Sequence, residues 1–238
     1  MGWYRGAQIV QNGLILNLDA SNKKSYIGSG TTCNDLSNNK NRGNLINGVG
    51  FNGGLTFDGI DDYVEIINKL PITNIFTINI WVKFNTLGTN VGGNKRAAIF
   101  NHGYNFSASK GFLFLGSGNN GTDFFISLGH DVKVTVSNQG YISTNKFLFL
   151  TARLNAGNEL TKLYVNGVEV TYLVQQDANF AVTYDNSKFS IGASVIPNTS
   201  IYEDMSNSTI YQVQVYNRPL STTEILQNYN TTKSRFGY

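Results

Sequence analysis

Residues 76–84 read Phe-Thr-Ile-Asn-Ile-Trp-Val-Lys-Phe, with apolar side chains at alternate positions from the first to the last residue. Successive side chains of an extended chain point to opposite sides, so the alternation divides the stretch into two faces. One face carries Phe76, Ile78, Ile80, Val82 and Phe84, and the other carries Thr77, Asn79, Trp81 and Lys83. The stretch therefore predicts a half-buried β-strand whose first face packs into a core.

Comparable short apolar runs recur along the rest of the chain, and turn-forming residues separate them. They lie at residues 97–100, 112–115, 124–128, 132–136, 147–154, 162–165, 189–191 and 210–216. The clearest hairpin is at Asn166-Gly167, because a type I′ turn needs positive φ at both central residues. Many short strands without alternating helices predict an all-β fold, a two-sheet antiparallel sandwich of jelly-roll type.

One short helix is predicted near the C-terminal end of the sequence. Ser221 and Glu224 fit a capping box, in which each side chain bonds the backbone N–H of the other residue, and Ile225 and Leu226 begin an apolar patch. The expected helix covers about residues 221–230. No repeat or linker divides the chain, so we expect a single domain over residues 13–238, preceded by an N-terminal segment over residues 1–12.

The composition suits a protein of many tight turns and excludes several functions. The 238 residues include 25 glycines, only 14% are charged, and the net charge is +3. Lysines and arginines are scattered singly and form no basic stripe that could follow a phosphate backbone, so we predict no nucleic-acid partner. We also predict no membrane insertion, since no apolar stretch approaches the roughly 20 residues of a membrane helix. No secretion signal is recognised at the N-terminus.

Four stretches together resemble the concanavalin A-like lectin/glucanase superfamily, in particular the laminin-G-like jelly-roll modules found in bacterial and phage proteins. They are residues 13–20 (GLILNLDA), residues 57–64 (FDGIDDYV), residues 76–82 with Trp81, and residues 215–221 (VYNRPLS). The resemblance spans nearly the whole chain and implies a concanavalin A-like sandwich followed by a helix. The ending, residues 228–238, is similar to the ends of phage virion proteins that carry this module.

The resemblance bears on metal binding as well. Modules of this kind often carry an acidic residue just before the YNR motif that helps to hold structural calcium, whereas residues 210–215 read IYQVQV here. We therefore predict no metal and no cofactor. Asp58, Asp61, Asp62 and Glu65 still offer the oxygen ligands that calcium prefers, and this alternative stays open.

Catalysis is not expected from the sequence. The glucanases of the superfamily use two glutamates flanking an aspartate on one strand, because retaining hydrolysis needs two carboxyl groups about 5 to 5.5 Å apart. No Glu-x-Asp-x-Glu sequence occurs here, and the glutamates are isolated from one another. Neither His102 nor His130 has a metal-ligand spacing or a recognisable nucleophile beside it. We predict a non-enzymatic protein.

Two non-enzymatic functions remain. We favour a virion structural protein, either a phage capsid decoration or a tail or fibre component. Its partners would be other virion proteins or further copies of itself, and cell-surface polysaccharide is a further expected contact. The alternative is a soluble or surface-displayed carbohydrate-binding module of a bacterium.

Candidate binding residues fall into two groups. Loop residues with polar or aromatic side chains suited to sugar binding are His102, Tyr104, Asn105, Asn119, Asn120 and Asp123, although ordinary turn formation explains the same residue types. Trp3 and Tyr4 are candidate partner contacts in the N-terminal segment. They are equally suited to capping the open end of the chain's own sandwich.

Overall fold

The computed structural model describes residues 8–88, 97–105, 110–117, 121–128, 133–179, 188–195 and 202–238. In chain order the strands are β1 (Leu14–Asp19), β2 (Thr32–Asn34), β3 (Arg42–Ile46), β4 (Gly50–Phe51), β5 (Leu55–Asp58), β6 (Tyr63–Ile66), β7 (Ile75–Phe84), β8 (Ala97–Asn105), β9 (Lys110–Ser117), β10 (Phe125–Leu128), β11 (Lys133–Ser137), β12 (Leu148–Asn155), β13 (Lys162–Val165), β14 (Val168–Glu169), β15 (Tyr172–Val174), β16 (Phe189–Ile191), β17 (Ser194–Val195), β18 (Tyr202–Glu203) and β19 (Asn207–Tyr216). An α-helix, α1 (Thr222–Thr232), continues into a 3₁₀ helix (Lys233–Phe236).

Most of the strands form two large antiparallel sheets. Sheet A has the order β14-β13-β12-β7-β19-β5-β4, and β1 also pairs with β19. Strand β5 lies beside the first half of β19 and β1 beside the second half, so the two lie end to end along one side of it. Sheet B has the order β15-β11-β10-β9-β8-β16-β6-β3-β2, while β17 and β18 form a separate pair. This topology confirms the predicted antiparallel sandwich.

The main core fills the space between the two sheets. Sheet A contributes side chains such as Leu16 and Ile80, and sheet B contributes others such as Val64 and Ile126, each at most 1% exposed. All five apolar residues at alternate positions along β7 belong to this core. The predicted inward face of the central strand is therefore confirmed.

The prediction that β7 is half-buried was wrong, because its second face is also covered. Thr77, Asn79 and Trp81 are at most 1% exposed. Residues 222–238, here called the C-terminal cover, lie over this face of sheet A. The Trp81 ring lies 4.2 Å from that of Phe236, and Trp81 Nε1 donates to Thr232 Oγ1 at 2.8 Å. The covering residues come from the far end of the chain, so alternation within β7 could not reveal them.

The helix begins at the predicted capping box. Ser221 Oγ accepts from the Glu224 backbone N–H at 3.2 Å, and the Glu224 side chain accepts from the Ser221 N–H at 2.9 Å. The helix extends to Thr232 rather than ending near Asn230, and the 3₁₀ helix that follows ends at Gly237, where φ is 82°. A glycine suits this position because positive φ carries no steric cost there.

Buried Asn228 joins the helix to the N-terminal segment. Its Oδ1 accepts from the Val10 N–H at 2.8 Å, and its Nδ2 donates to the Tyr216 hydroxyl at 3.0 Å. The Tyr216 hydroxyl in turn donates to the Val10 carbonyl at 3.0 Å. The described part of the N-terminal segment, residues 8–12, is therefore held against the chain's own helix.

The Asn166-Gly167 hairpin is confirmed as well. It joins β13 to β14, with φ of 52° at Asn166 and 81° at Gly167, as a type I′ turn requires. Within the described ranges, no helix has the length and apolar character needed to cross a membrane.

Candidate functional site

Four of the six residues predicted to bind sugar lie among the described residues, three of them in β8. His102 lies in β8 rather than in a loop and is fully buried, with its ring 4.0 Å from that of Phe189. Asp123, just before β10, is 3% exposed. Protein atoms therefore enclose both side chains. Tyr104 and Asn105 are the last two residues of β8.

The remaining candidates, Asn119, Asn120, Trp3 and Tyr4, lie outside the described residues. Their roles in sugar binding and partner contact stay predictions.

A different surface has the shape of a ligand site. It is a groove of about 360 Å³ between the β1–β2 loop, the turn after β4 and the C-terminal cover. Ligand sites in proteins commonly have volumes of about 300 to 1,000 Å³. We call it the aromatic groove, and its lining residues are Ala20, Ser21, Lys23, Tyr26, Ile27, Phe51, Gly53, Phe147, Tyr211, Arg235 and Phe236.

Tyr211 enters the groove through an irregularity in β19. The register between β19 and β7 shifts between Ile210 and Gln212, leaving Tyr211 as an extra residue in the strand. Such a bulge re-aims a side chain locally. The Tyr211 ring then packs against Phe147 and Phe236, with ring centroids 5.2 and 5.3 Å away.

Phe51 and Tyr26 form the opposite wall. Their rings meet edge to face at a centroid distance of 5.3 Å, a favourable arrangement for aromatic pairs. Tyr26 is held by a hydrogen bond from its hydroxyl to the Gly30 carbonyl at 2.9 Å. The two loops are joined where Ser21 Oγ donates to the Gly53 carbonyl at 2.7 Å. Phe51 nevertheless remains 41% exposed, so part of its ring faces solvent.

Arg235 fixes the C-terminal wall of the groove. Its guanidinium donates two hydrogen bonds to the Asp19 carboxylate, at 2.9 and 2.5 Å, in the bidentate geometry that suits arginine. The Asp19 side chain is only 6% exposed, whereas that of Arg235 is 32% exposed. This ion pair ties the 3₁₀ helix to β1. The second cation that lines the groove, Lys23, is exposed to solvent.

The groove is rich in neutral polar and cationic groups. Burial raises the pKa of Tyr26 and of Tyr211 above the ordinary value of a phenol. The described lining residues include no aspartate or glutamate. The groove thus offers aromatic surface, hydroxyl groups and positive charge.

The acidic residues considered for calcium divide into two places. Asp58, Asp61 and Asp62 each offer an oxygen, and these atoms lie within 4.8 Å of one another. Glu65 is instead engaged by Lys188, whose Nζ lies 2.7 Å from its Oε2. The first three, here called the acidic cluster, are therefore the described residues that fit a cation.

The aromatic groove was not among the sites predicted from the sequence. Its five aromatic residues come from five separated parts of the chain, and no spacing links them. A weak signal existed at Phe51, a large aromatic residue between Gly50 and the turn-forming pair Asn52-Gly53. Tyr211 stood out only as a departure from the stretch usual in similar modules.

The two-sheet antiparallel sandwich and the groove at its loops define a lectin-type jelly roll of concanavalin A-like fold. The sequence matches the Laminin_G_3 family, described as the concanavalin A-like lectin/glucanases superfamily, over residues 57–226. The chain belongs to this family. A search of curated proteins finds no significant match.

Solved structures share the fold at low sequence identity. A Trypanosoma rangeli sialidase in complex with sialic acid is 18% identical, with a TM-score of 0.65. The match covers 98% of this chain and 35% of the sialidase chain. The receptor binding domain of botulinum neurotoxin D is 17% identical with a TM-score of 0.62, covering 92% and 52%. This chain thus spans about a third of the sialidase and half of the toxin domain.

A third similar structure is matched over its full length. Domain 4 of AbnA, an extracellular arabinanase from Geobacillus stearothermophilus, was solved in complex with arabinotriose. It is 15% identical with a TM-score of 0.57, and the match covers 92% of this chain and 100% of that domain. At these identities the likeness concerns the fold alone.

Proposed function

We propose that this chain is a non-enzymatic domain that binds carbohydrate in the aromatic groove. The observation that carries the proposal is the solvent-exposed apolar surface inside the aromatic groove, which has the volume of a ligand site. Phe51 is 41% exposed and Ile27 is 75% exposed, and both line the groove. Apolar surface concentrated in a groove with a few polar groups is typical of binding sites.

The chemistry of the lining suits a sugar. A pyranose or furanose ring presents an apolar face to an aromatic ring and hydroxyl groups to polar side chains. Phe51 and Tyr211 supply the aromatic surface, while Ser21 and Lys23 supply polar groups. Family membership and the structures solved with sialic acid and arabinotriose agree with this proposal. The lack of carboxylates among the described lining residues supports a role without catalysis.

A glycan array followed by calorimetry tests the proposal. We expect at least one glycan to bind, and Phe51→Ala to weaken its binding about tenfold or more, as truncation of an aromatic anchor typically does. Leu173→Ala is the matched control, because Leu173 is 63% exposed on β15 and does not line the groove. Equal affinities of the two variants, or an array without any bound glycan, would refute the groove as a sugar site.

We further propose that the domain works as a virion component, on a phage capsid or tail, with other virion proteins or copies of itself as partners. The support is the similarity of residues 228–238 to the ends of phage virion proteins. In this chain the same residues also build the C-terminal cover, so they have a structural role within the domain. Trp3 and Tyr4 remain the proposed contacts.

Mass spectrometry of purified particles tests the virion proposal. The chain should co-purify with the major capsid protein at a fixed ratio, and the double variant Trp3→Ala and Tyr4→Ala should reduce its incorporation. Particles that contain the capsid protein but none of this chain would refute the virion proposal. The alternative, a carbohydrate-binding module of a bacterium, would then remain.

A further inference from the structure

The acidic cluster lies where the chain passes from one sheet to the other. Asp58 ends β5 in sheet A, and Asp61 and Asp62 precede β6 in sheet B. Gly59, with φ of 81°, allows the tight turn between them. Asp58 Oδ1 accepts from the Ile60 N–H at 2.7 Å, which holds this turn in place.

Asp62 provides the observation that points to a ligand. Asp62 is 5% exposed. One carboxylate oxygen, Oδ2, accepts from the Asp58 N–H at 3.2 Å, whereas the other, the buried Oδ1, has no hydrogen-bond partner. Buried carboxylate oxygens are normally satisfied, because leaving one unpaired costs free energy. Gly48 has no side chain at this place, and a Cβ added to it would lie 3.6 Å from Asp62 Oδ1.

The negative charge of the acidic cluster has no basic partner in the described part of the chain. Over the described ranges, no lysine or arginine forms an ion pair with Asp58, Asp61 or Asp62. Burial raises the pKa of Asp62, and the neighbouring Asp58 and Asp61 charges raise it further, against a lowering by the Asp58 backbone N–H. A bound cation would supply both the missing partner and the missing charge.

We propose that Asp58, Asp61 and Asp62 bind a hard divalent cation, of which calcium is the best match. Calcium accepts six to eight oxygen ligands in irregular geometry, whereas magnesium demands a near-ideal octahedron. Three carboxylates on a turn leave the other positions to water or backbone carbonyls. The cation fastens the crossing between the two sheets, and this replaces the sequence-based expectation that no metal is bound.

The test compares thermal unfolding of the full chain, freed of metal by a chelating resin, with and without calcium chloride. Weak calcium sites in proteins have dissociation constants of about 10⁻⁴ to 10⁻³ M. At 10 mM calcium the melting temperature should therefore rise by about 3 to 10 °C. Sodium chloride at matched ionic strength controls for screening of surface charge.

Two cluster variants and one control make the result specific. Asp62→Asn keeps the shape and an acceptor for the Asp58 N–H, and it should abolish the calcium response. Asp61→Asn, at an exposed position where folding is not at risk, should reduce calcium affinity about tenfold in calorimetry. Glu65→Gln should leave the response intact, because Glu65 pairs with Lys188.

Three outcomes would overturn the proposal. They are a calcium response below about 1 °C, an equal response to sodium chloride, and an unchanged response in both cluster variants. Stabilisation by magnesium as strong as that by calcium would overturn the preference for calcium.

Discussion

Truncation of Phe236 should loosen the C-terminal cover and expose Trp81. Phe236 is 8% exposed, and its ring lies 4.2 Å from Trp81 and 5.3 Å from Phe147 and Tyr211. Replacing a buried phenylalanine by alanine typically costs about 3 to 5 kcal/mol. Because Phe236 is not completely buried, we expect Phe236→Ala to cost about 3 kcal/mol, at the lower end of this range.

Urea unfolding and tryptophan fluorescence measure the effect together. The sequence contains 2 tryptophans, so a Trp3→Phe background makes Trp81 the only emitter. Phe236→Ala should lower the free energy of unfolding and shift the native emission to longer wavelength, since water reaches the indole. Phe236→Leu, which keeps most of the volume, should cost less than about 1.5 kcal/mol and leave the emission unchanged.

The opposite result has a clear meaning. A cost below about 1 kcal/mol for Phe236→Ala, with unchanged emission, would show that the cover does not seal Trp81. The structural reason given for the buried second face of β7 would then fail.

The central strand and the helix start allow four further tests. Ile80→Ala should cost about 2 to 5 kcal/mol in urea unfolding, because Ile80 is fully buried in the main core. Asn79→Ala should cost about 1 to 3 kcal/mol, since it leaves two buried side-chain partners unpaired, and a negligible cost would indicate an open outer face. Ser221→Ala should cost about 1 kcal/mol through loss of the cap, and an unchanged midpoint would contradict the capping box. The Arg218 guanidinium lowers the pKa of Glu224 from 4.5 to about 2. The contribution of this ion pair is therefore complete above pH 4.5 and declines towards pH 2, so the profile of Glu224→Gln should be flatter in that window, and parallel profiles would refute the role of the pair.

The inner architecture was predictable from the sequence because local signals determine it. Alternation along residues 76–84 identified the inward face of β7, and Asn166-Gly167 and Ser221 identified a hairpin and a helix start. These signals lie within a few residues of the structure they specify. The covered second face of β7 depends on contacts such as Trp81 with Thr232, which are 151 positions apart.

The aromatic groove was not predictable for the same reason. Its walls bring together Tyr26, Phe51, Tyr211 and Phe236, and the bulge that re-aims Tyr211 depends on the registers of three strands. The sequence did contain the acidic cluster, but not the information that Glu65 pairs with Lys188 or that one oxygen of Asp62 lacks a partner. Such distinctions require three-dimensional contacts.

The position of β19 has a consequence for folding during synthesis. Strand β19 is paired along both sides, with β7 on one side and with β5 and β1 on the other, yet it is the last strand of the fold to be made. Before β19 has been synthesised, the edges of β1, β5 and β7 that will pair with it are unpaired. Unpaired strand edges favour wrong pairing. Sheet A closes only after residue 216 leaves the exit tunnel. We therefore expect the nascent chain to stay open until its last strand arrives and then to fold as one unit.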